Sequence, residues 1–195
     1  MKADPVEEKY IDKDTGIWAI HPRIQKRHRT DLRLAAYLAE KYKKMRTVAD
    51  LGCGAGRYCG IFKAYGQWPV IHGYEGTQDI AGVVYDDIMT IDLTKYRHVG
   101  MNYDLVLCLE VGEHIPPQHE QTFIDNVVQF VGRHLVLSWG VPGQGGTGHV
   151  NLKSNDYVID ELKGRGLRFE RKATRFFRSI SRLEWFKNTL MVFKR

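Results

Sequence analysis

The chain has 195 residues, with 29 Lys and Arg against 23 Asp and Glu for a formal net charge of +6, and 43% of its residues are hydrophobic. A chain of this length is most simply one domain, able to bury roughly 70% of its unfolded surface and to fold without covalent staples. Three cysteines (Cys53, Cys59 and Cys108) argue against a disulfide framework, and with no apolar run near ~20 residues and no leader pattern in MKADPVEEKY, a reducing, cytoplasmic setting is expected.

Residues 25 to 44 place Leu32, Leu34, Ala35, Leu38 and Tyr42 at helical intervals on a basic background, which predicts an N-terminal helix. Short apolar runs follow: TVADL (47–51), WPVIHGY (68–74), IMTIDL (88–93), YDLVLCLEV (103–111) and RHLVLSW (133–139). Helices are predicted between them at 57–65 and 118–131, and after them at 154–164, where Ser154 or Asn155 caps and Gly164 or Gly166 terminates. Alternating strands and helices favour a parallel sheet covered on both faces. The remainder, LRFERKATRFFRS and NTLMVFKR joined through ISRLEWFK, reads as two final strands forming a hairpin whose aromatics enter the core.

In an open parallel sheet, ligands bind beyond the carboxyl ends of the strands. The first loop there is LGCGAGRY, in which Gly52, Gly54 and Gly56 let the backbone turn tightly and approach a ligand at a helix start. A dinucleotide fingerprint would have its third glycine at Arg57, which disfavours hydride transfer.

VADLGCGAGRY resembles the first motif of class I S-adenosylmethionine-dependent methyltransferases, an acidic residue followed by GxGxG. VIHGYEG resembles the second motif, with Glu75 at the position of the ribose-binding acid. TIDLT places Asp92 and Leu93 where that family reads adenine, and YDLVLCLEVGEHIPP resembles the fourth motif. The resemblance implies a three-layer α/β/α, Rossmann-like seven-stranded sheet, mostly parallel with an antiparallel last strand. It also implies a single domain, in which residues 1–45 form an N-terminal cap segment and 46–195 a core binding S-adenosylmethionine, with S-adenosylhomocysteine as product. The cofactor-binding residues so implied are Asp50, Gly52, Cys53, Gly54, Gly56, Glu75, Gly76, Asp92, Leu93 and Glu110. Asp87 is the alternative adenine reader if the third strand is shifted in register, and Asp86 and Asp87 otherwise read as an exposed acidic turn.

Glu110, Glu113 and His114 stand at i, i+3 and i+4, a spacing that gathers them on one side of a helical turn. The ExxEH pattern, with His149 following the fifth strand, resembles the metal site of small-RNA 2'-O-methyltransferases and of ubiquinone-pathway O-methyltransferases. That likeness implies a divalent metal on Glu110, Glu113, His114 and His149, with Glu113, His114 and His149 as catalytic candidates. The competing reading leaves these residues beside the cofactor without metal, with His149 as a general base.

The glycine-rich loop GVPGQGGTGHVN (140–151) follows the fifth strand, where an acceptor-binding lid belongs, with His149 and Asn151 facing the acceptor and Trp139 and Tyr157 as an apolar wall. The [DN]PP[YFW] and Pro-Cys motifs of DNA base methyltransferases are missing at their expected positions. Residues 21–46 carry nine Lys and Arg against two acids, and residues 163–195 eleven against two, so an anionic acceptor is expected. Arg175, Arg178 and Arg182 among Phe176, Phe177 and Trp185 would also suit RNA. The expected function is O-methylation of a small acceptor. A metal-dependent RNA ribose methyltransferase and a non-catalytic cofactor-binding module are the alternatives.

Overall fold

In the computed structural model, which describes residues 9–18, 29–77, 84–96, 98 and 100–195, the apolar runs of the sequence become one sheet. Its strands are β1 (Thr47–Leu51), β2 (Val70–Glu75), β3 (Ile88–Thr90), β4 (Tyr103–Leu109), β5 (Val131–Ser138), β6 (Arg168–Phe169) and β7 (Met191–Lys194), arranged in the order β3-β2-β1-β4-β5-β7-β6. The first five run parallel, while β7 lies antiparallel between β5 and β6. Strand order reverses between β1 and β4, so their carboxyl ends open a crevice at the switch point. This is the class I methyltransferase arrangement of sheet and helices.

Both faces of the sheet are covered, as its apolar strands require. Side chains alternate across each strand, so Leu105 and Leu107 enter one core while Val106 and Cys108 enter the other. The first core is closed by α1 (Leu32–Lys41), α2 (Arg57–Tyr65), α5 (Arg171–Ile180) and α6 (Glu184–Thr189). The second is closed by α3 (Glu120–Phe130) and α4 (Asn155–Gly164).

Several boundaries differ from expectation for local reasons. The N-terminal helix begins at Leu32 because extended Asp31 caps it, accepting from the Leu34 amide at 2.9 Å; expected positions 25–28 lie outside the described residues. Strand β4 stops at Leu109 because Glu110 has φ +54°, which breaks an extended ladder. The larger correction concerns the tail. RKATRFFRSI is helix α5 and most of the segment joining it to β7 is helix α6, so the expected final hairpin shrinks to β6 paired with β7. The aromatic content suggested strand, but Thr174, Phe177 and Ile180 recur at intervals of three and form a buried helical stripe. Trp139 belongs to the second core rather than to an acceptor wall, its indole N–H donating to the Asn151 carbonyl at 2.6 Å.

Asp31 ties this fold together across the sequence. Its Oδ1 caps α1, while Oδ2 accepts from the Ser181 hydroxyl at 2.9 Å and the amides of Arg182 at 2.6 Å and Leu183 at 3.2 Å. Burial alone would push the carboxyl up, yet these bonds together hold it below the usual range. Replacing Asp31 by Ala removes a cap and strands buried donors, so urea unfolding is expected to show a loss of about 3 kcal/mol at pH 7. A depressed carboxyl contributes its stability above its unfolded pKa, so the difference between the two proteins should shrink as pH falls below about 4.

Candidate active site at the carboxyl edge of the sheet

The loop between β1 and α2 is shaped by its glycines. Gly52, Gly54 and Gly56 have φ of +69°, +54° and +73°, a left-handed region in which a side chain is strained. At Gly52 an added Cβ would also lie 2.5 Å from Val111 Cγ2, so the Val111 side chain of the fourth loop packs against the glycine backbone of the first. The Gly52 and Cys53 amides donate to the Tyr74 carbonyl at 2.8 and 3.0 Å, and the Gly54 amide to Glu75 Oε2 at 2.8 Å. Glu75 Oε1 accepts from the Gly76 amide at 2.8 Å and the Thr77 amide at 3.2 Å. The acidic end of β2 is thereby held against the glycine loop.

Asp50, at the end of β1, is buried, and burial followed by the Glu75 charge pushes its carboxyl up to about 8; the Cys59 thiol, 3.9 Å from Oδ2, opposes this only partly. Cys53 Sγ contacts the Gly54 carbonyl at 3.6 Å, and burial raises this thiol as well.

Beyond β3, Asp92 stands at the same edge as Glu75, because Glu75 pairs with Thr90 in parallel register. Its Oδ1 accepts from the Thr94 amide at 2.9 Å and hydroxyl at 2.5 Å, and Lys95 Nζ lies 3.0 Å from Oδ2. Leu93 is buried, and its carbonyl accepts from Asn126 at 2.9 Å. Asp87 lies at the amino end of β3, its carbonyl accepting from the Gly73 amide and its carboxylate 3.6 Å from His72.

After β4 the chain makes a 3-10 turn at Gly112–His114. Glu113 has no exposed surface, and neither carboxylate oxygen completes a hydrogen bond, although Glu110 and the Gly140 amide lie nearby. Burial and the Glu110 charge push Glu113 well above the usual carboxyl range. Its carbonyl accepts from the Val150 and Asn151 amides at 2.9 and 3.0 Å, which anchors the end of the glycine-rich loop. That anchoring brings His149 to the same place. One donor atom each from Glu113, His114 and His149 lies within 4.8 Å of the others, and the two imidazoles meet edge to face at 5.0 Å. His114 Nδ1 contacts the Gly148 carbonyl at 3.1 Å, and His149 Nδ1 the Gln144 carbonyl at 3.4 Å. Burial lowers the His149 pKa, keeping the ring neutral.

Glu110 stands outside this triad. Its Oε2 accepts from Gln144 Nε2 at 2.9 Å, its amide donates to Ser138 Oγ at 2.9 Å, and its Oε1 lies 3.3 Å from the Thr189 hydroxyl, whose one proton is shared with the Trp185 carbonyl at 2.9 Å. Asn151 faces Glu120 rather than the crevice, donating to Oε2 at 2.9 Å, and Tyr157 donates to the other oxygen of the same carboxylate. Sequence reasoning passed over Gln144 and Thr189, and also the N-terminal turn. Asp12 Oδ1 accepts from the amides of Asp14 and Thr15, forming a turn that packs on the site. A Cβ on Gly16 would meet the His114 carbonyl, Ile17 packs against Gly76, and the Trp18 ring meets His114 at 5.5 Å. Asp12 followed by Gly16 was the local signal for that turn.

No family model and no curated protein matches the sequence. Solved structures do match. A magnesium protoporphyrin IX methyltransferase of Synechocystis PCC 6803 with bound SAH is 22% identical, with a TM-score of 0.59 over 83% of this chain and 80% of that one. The methyltransferase domain of bacterial CtHen1-CN is 16% identical, with a TM-score of 0.60 over 84% and 97%. The sugar N-methyltransferase KedS8 from Streptoalloteichus is 13% identical, with a TM-score of 0.66 over 89% and 91%. At these identities the likeness shows a common fold.

The Asp50 environment has a measurable consequence. Because its folded pKa lies above the unfolded value, its contribution to stability is greatest below about 4 and declines as pH rises toward about 8. Asn cannot titrate, so Asp50→Asn should gain stability relative to the parent chain between pH 5 and pH 9, measured by urea unfolding at both values.

Proposed function

We propose that this protein transfers the methyl group of S-adenosylmethionine to an oxygen of a small acceptor. The observation that carries the reading is the buried, partnerless Glu113 carboxylate grouped with His114 and His149 on the edge that also bears the glycine loop and Glu75. A buried carboxylate without donors costs several kcal/mol, which a ligand at that position offsets.

The donor's nucleoside would lie over Gly52, Gly54 and Gly56, with Glu75 accepting from its ribose hydroxyls and Asp92 and Leu93 flanking the base. Cys53, Gly76 and Asp50 shape the floor of the same crevice. Glu75 already accepts from three backbone amides, which fixes its carboxylate before any ligand arrives. Structures of the same fold hold SAM or SAH, as in the Synechocystis enzyme.

One carboxylate and two imidazoles form a mixed oxygen and nitrogen set that fits a divalent cation such as Mg, Mn or Zn. Glu113, His114 and His149 would hold it, and when bound it would lower the pKa of the acceptor oxygen. Glu110, held by Gln144, instead fastens the glycine-rich loop over the site. His149, kept neutral by burial, accepts the acceptor's proton where no cation is present. Bound S-adenosylmethionine would supply a methyl group for in-line transfer to the acceptor oxygen, with the carbon–sulfur electron pair staying on sulfur in S-adenosylhomocysteine, and this chain's part would be to hold donor and acceptor in line.

Calorimetric titration tests this reading. Micromolar binding of S-adenosylhomocysteine is expected, together with a separate heat on adding Mg, Mn or Zn that Glu113→Ala abolishes while leaving the nucleoside affinity within about twofold. Gly54→Val should remove nucleoside binding from a folded protein. A folded parent chain that binds neither S-adenosylmethionine nor S-adenosylhomocysteine would overturn the proposal.

A further inference from the structure

Helix α5 segregates its residues sharply. Thr174, Phe177 and Ile180 are buried in the core, while Arg171, Lys172 and Arg175 are exposed, and the helix contains no acid. Phe176, beside Arg175, is 43% exposed and meets the 40% exposed Tyr37 of α1, ring centroids 5.6 Å apart at 71°. The Arg33 guanidinium stands 6.0 Å from the Tyr37 ring centroid. The two half-exposed rings thus stand edge to face on the outside, bordered by cations.

On the other side of Arg175 the helix borders a groove of about 870 Å³ lying against β6 and α4. Arg168, Arg171 and Arg175 supply cations to this groove, which Asp156, Asp160 and Lys163 of α4 also line; Lys163 Nζ lies 3.1 Å from Asp160 Oδ1, and Arg168 Nε 3.5 Å from Glu170 Oε1. Cations, exposed rings and a hydroxyl-accepting carboxylate therefore occur together on a surface remote from the glycine loop in sequence and absent from the triad.

We propose that this surface binds single-stranded RNA, independently of the small-acceptor site. Phosphates follow Arg168, Arg171 and Arg175, while an unpaired base stacks on Phe176 with the Tyr37 ring at its edge. The carboxylate of Asp156, beside the Lys163–Asp160 ion pair, repels phosphate and can accept from a hydroxyl, which places a ribose 2'-hydroxyl on the α4 side and favours RNA over DNA. Bases inside a duplex are already stacked and do not reach the two rings. An anionic membrane is a poorer partner, because the apolar side of α5 is spent in the core and only two rings remain to insert.

Fluorescence anisotropy with labelled oligo(U) of about 16 nucleotides tests the assignment. Binding should weaken steeply with salt, and the double substitution Arg171→Glu with Arg175→Glu should weaken it by at least about tenfold while lowering the slope of log K on log salt by about 1.4. Phe176→Ala should weaken binding about tenfold at an unchanged slope, since it removes stacking without removing charge. Oligo(dT) and a double-stranded RNA should each bind less well than oligo(U), and vesicles of phosphatidylcholine and phosphatidylserine should not bind. Thermal melting establishes that each variant is folded. Unchanged oligo(U) affinity in the folded double variant or in Phe176→Ala, or tighter binding to the vesicles or duplex, would overturn the proposal.

Discussion

The architecture converges on a carboxylate that the chain itself leaves unsatisfied. Glu113 is fully buried, and its two oxygens complete no hydrogen bond, while its backbone carbonyl holds the amides of Val150 and Asn151. One residue thereby sets both an unmet electrostatic demand and the position of the loop carrying His149. Burying such a group is tolerable only if it is protonated or if a ligand compensates it, and the raised pKa shows how the protein meets that demand alone. The surroundings act to the same end. Gln144 holds one oxygen of the Glu110 carboxylate, and the Glu110 charge beside Glu113 adds to burial in favouring the neutral Glu113 acid.

The same logic extends along the carboxyl edge, where a chain with a formal charge of +6 concentrates acids. Asp50, Glu75, Asp92, Glu110 and Glu113 terminate or follow parallel strands that the topology brings side by side. They do not all stay charged at little cost. Glu75 and Asp92 accept from backbone amides, while Asp50 and Glu113 shift toward the neutral acid. The edge is consequently divided into a side whose carboxylates are held by backbone amides and a buried side whose carboxyls favour the neutral acid.

Much of the fold could be read because its signals are local. TVADL followed by glycines at alternate positions specifies a strand and a left-handed loop within ten residues, and the register of β2 with β3 then places Glu75 and Asp92 together. What escaped reading depends on contacts between distant segments or on backbone strain. Glu110 at φ +54° ends β4 two residues early, and no local pattern announces a non-glycine residue there. Thr189 reaches Glu110 from a helix far along the chain, and the turn at 12–16 meets His114 only after folding. Glu113 and His114 lie near His149, but the ExxEH spacing does not reveal that Glu110 turns toward Gln144.

The tail shows how much depends on which periodicity wins. Read as strand, RKATRFFRSI would send alternate residues to opposite faces and mix cations with aromatics on both. Folded as helix, the same residues separate: Thr174, Phe177 and Ile180 close the core around Tyr42 and Leu38, Arg171, Lys172 and Arg175 face outward, and the half-buried Arg178 donates to the Leu190 carbonyl at 2.7 Å. Phe176 goes out with the cations because it is adjacent to Phe177, and a helix cannot bury two neighbouring aromatics on one narrow stripe. The capping of α1 by Asp31 fixes that helix against the junction of α5 and α6, which sets Tyr37 beside Phe176. A basic and aromatic exterior on this side therefore follows from the packing of the core, and its chemistry differs from that of the acidic edge where the strands end.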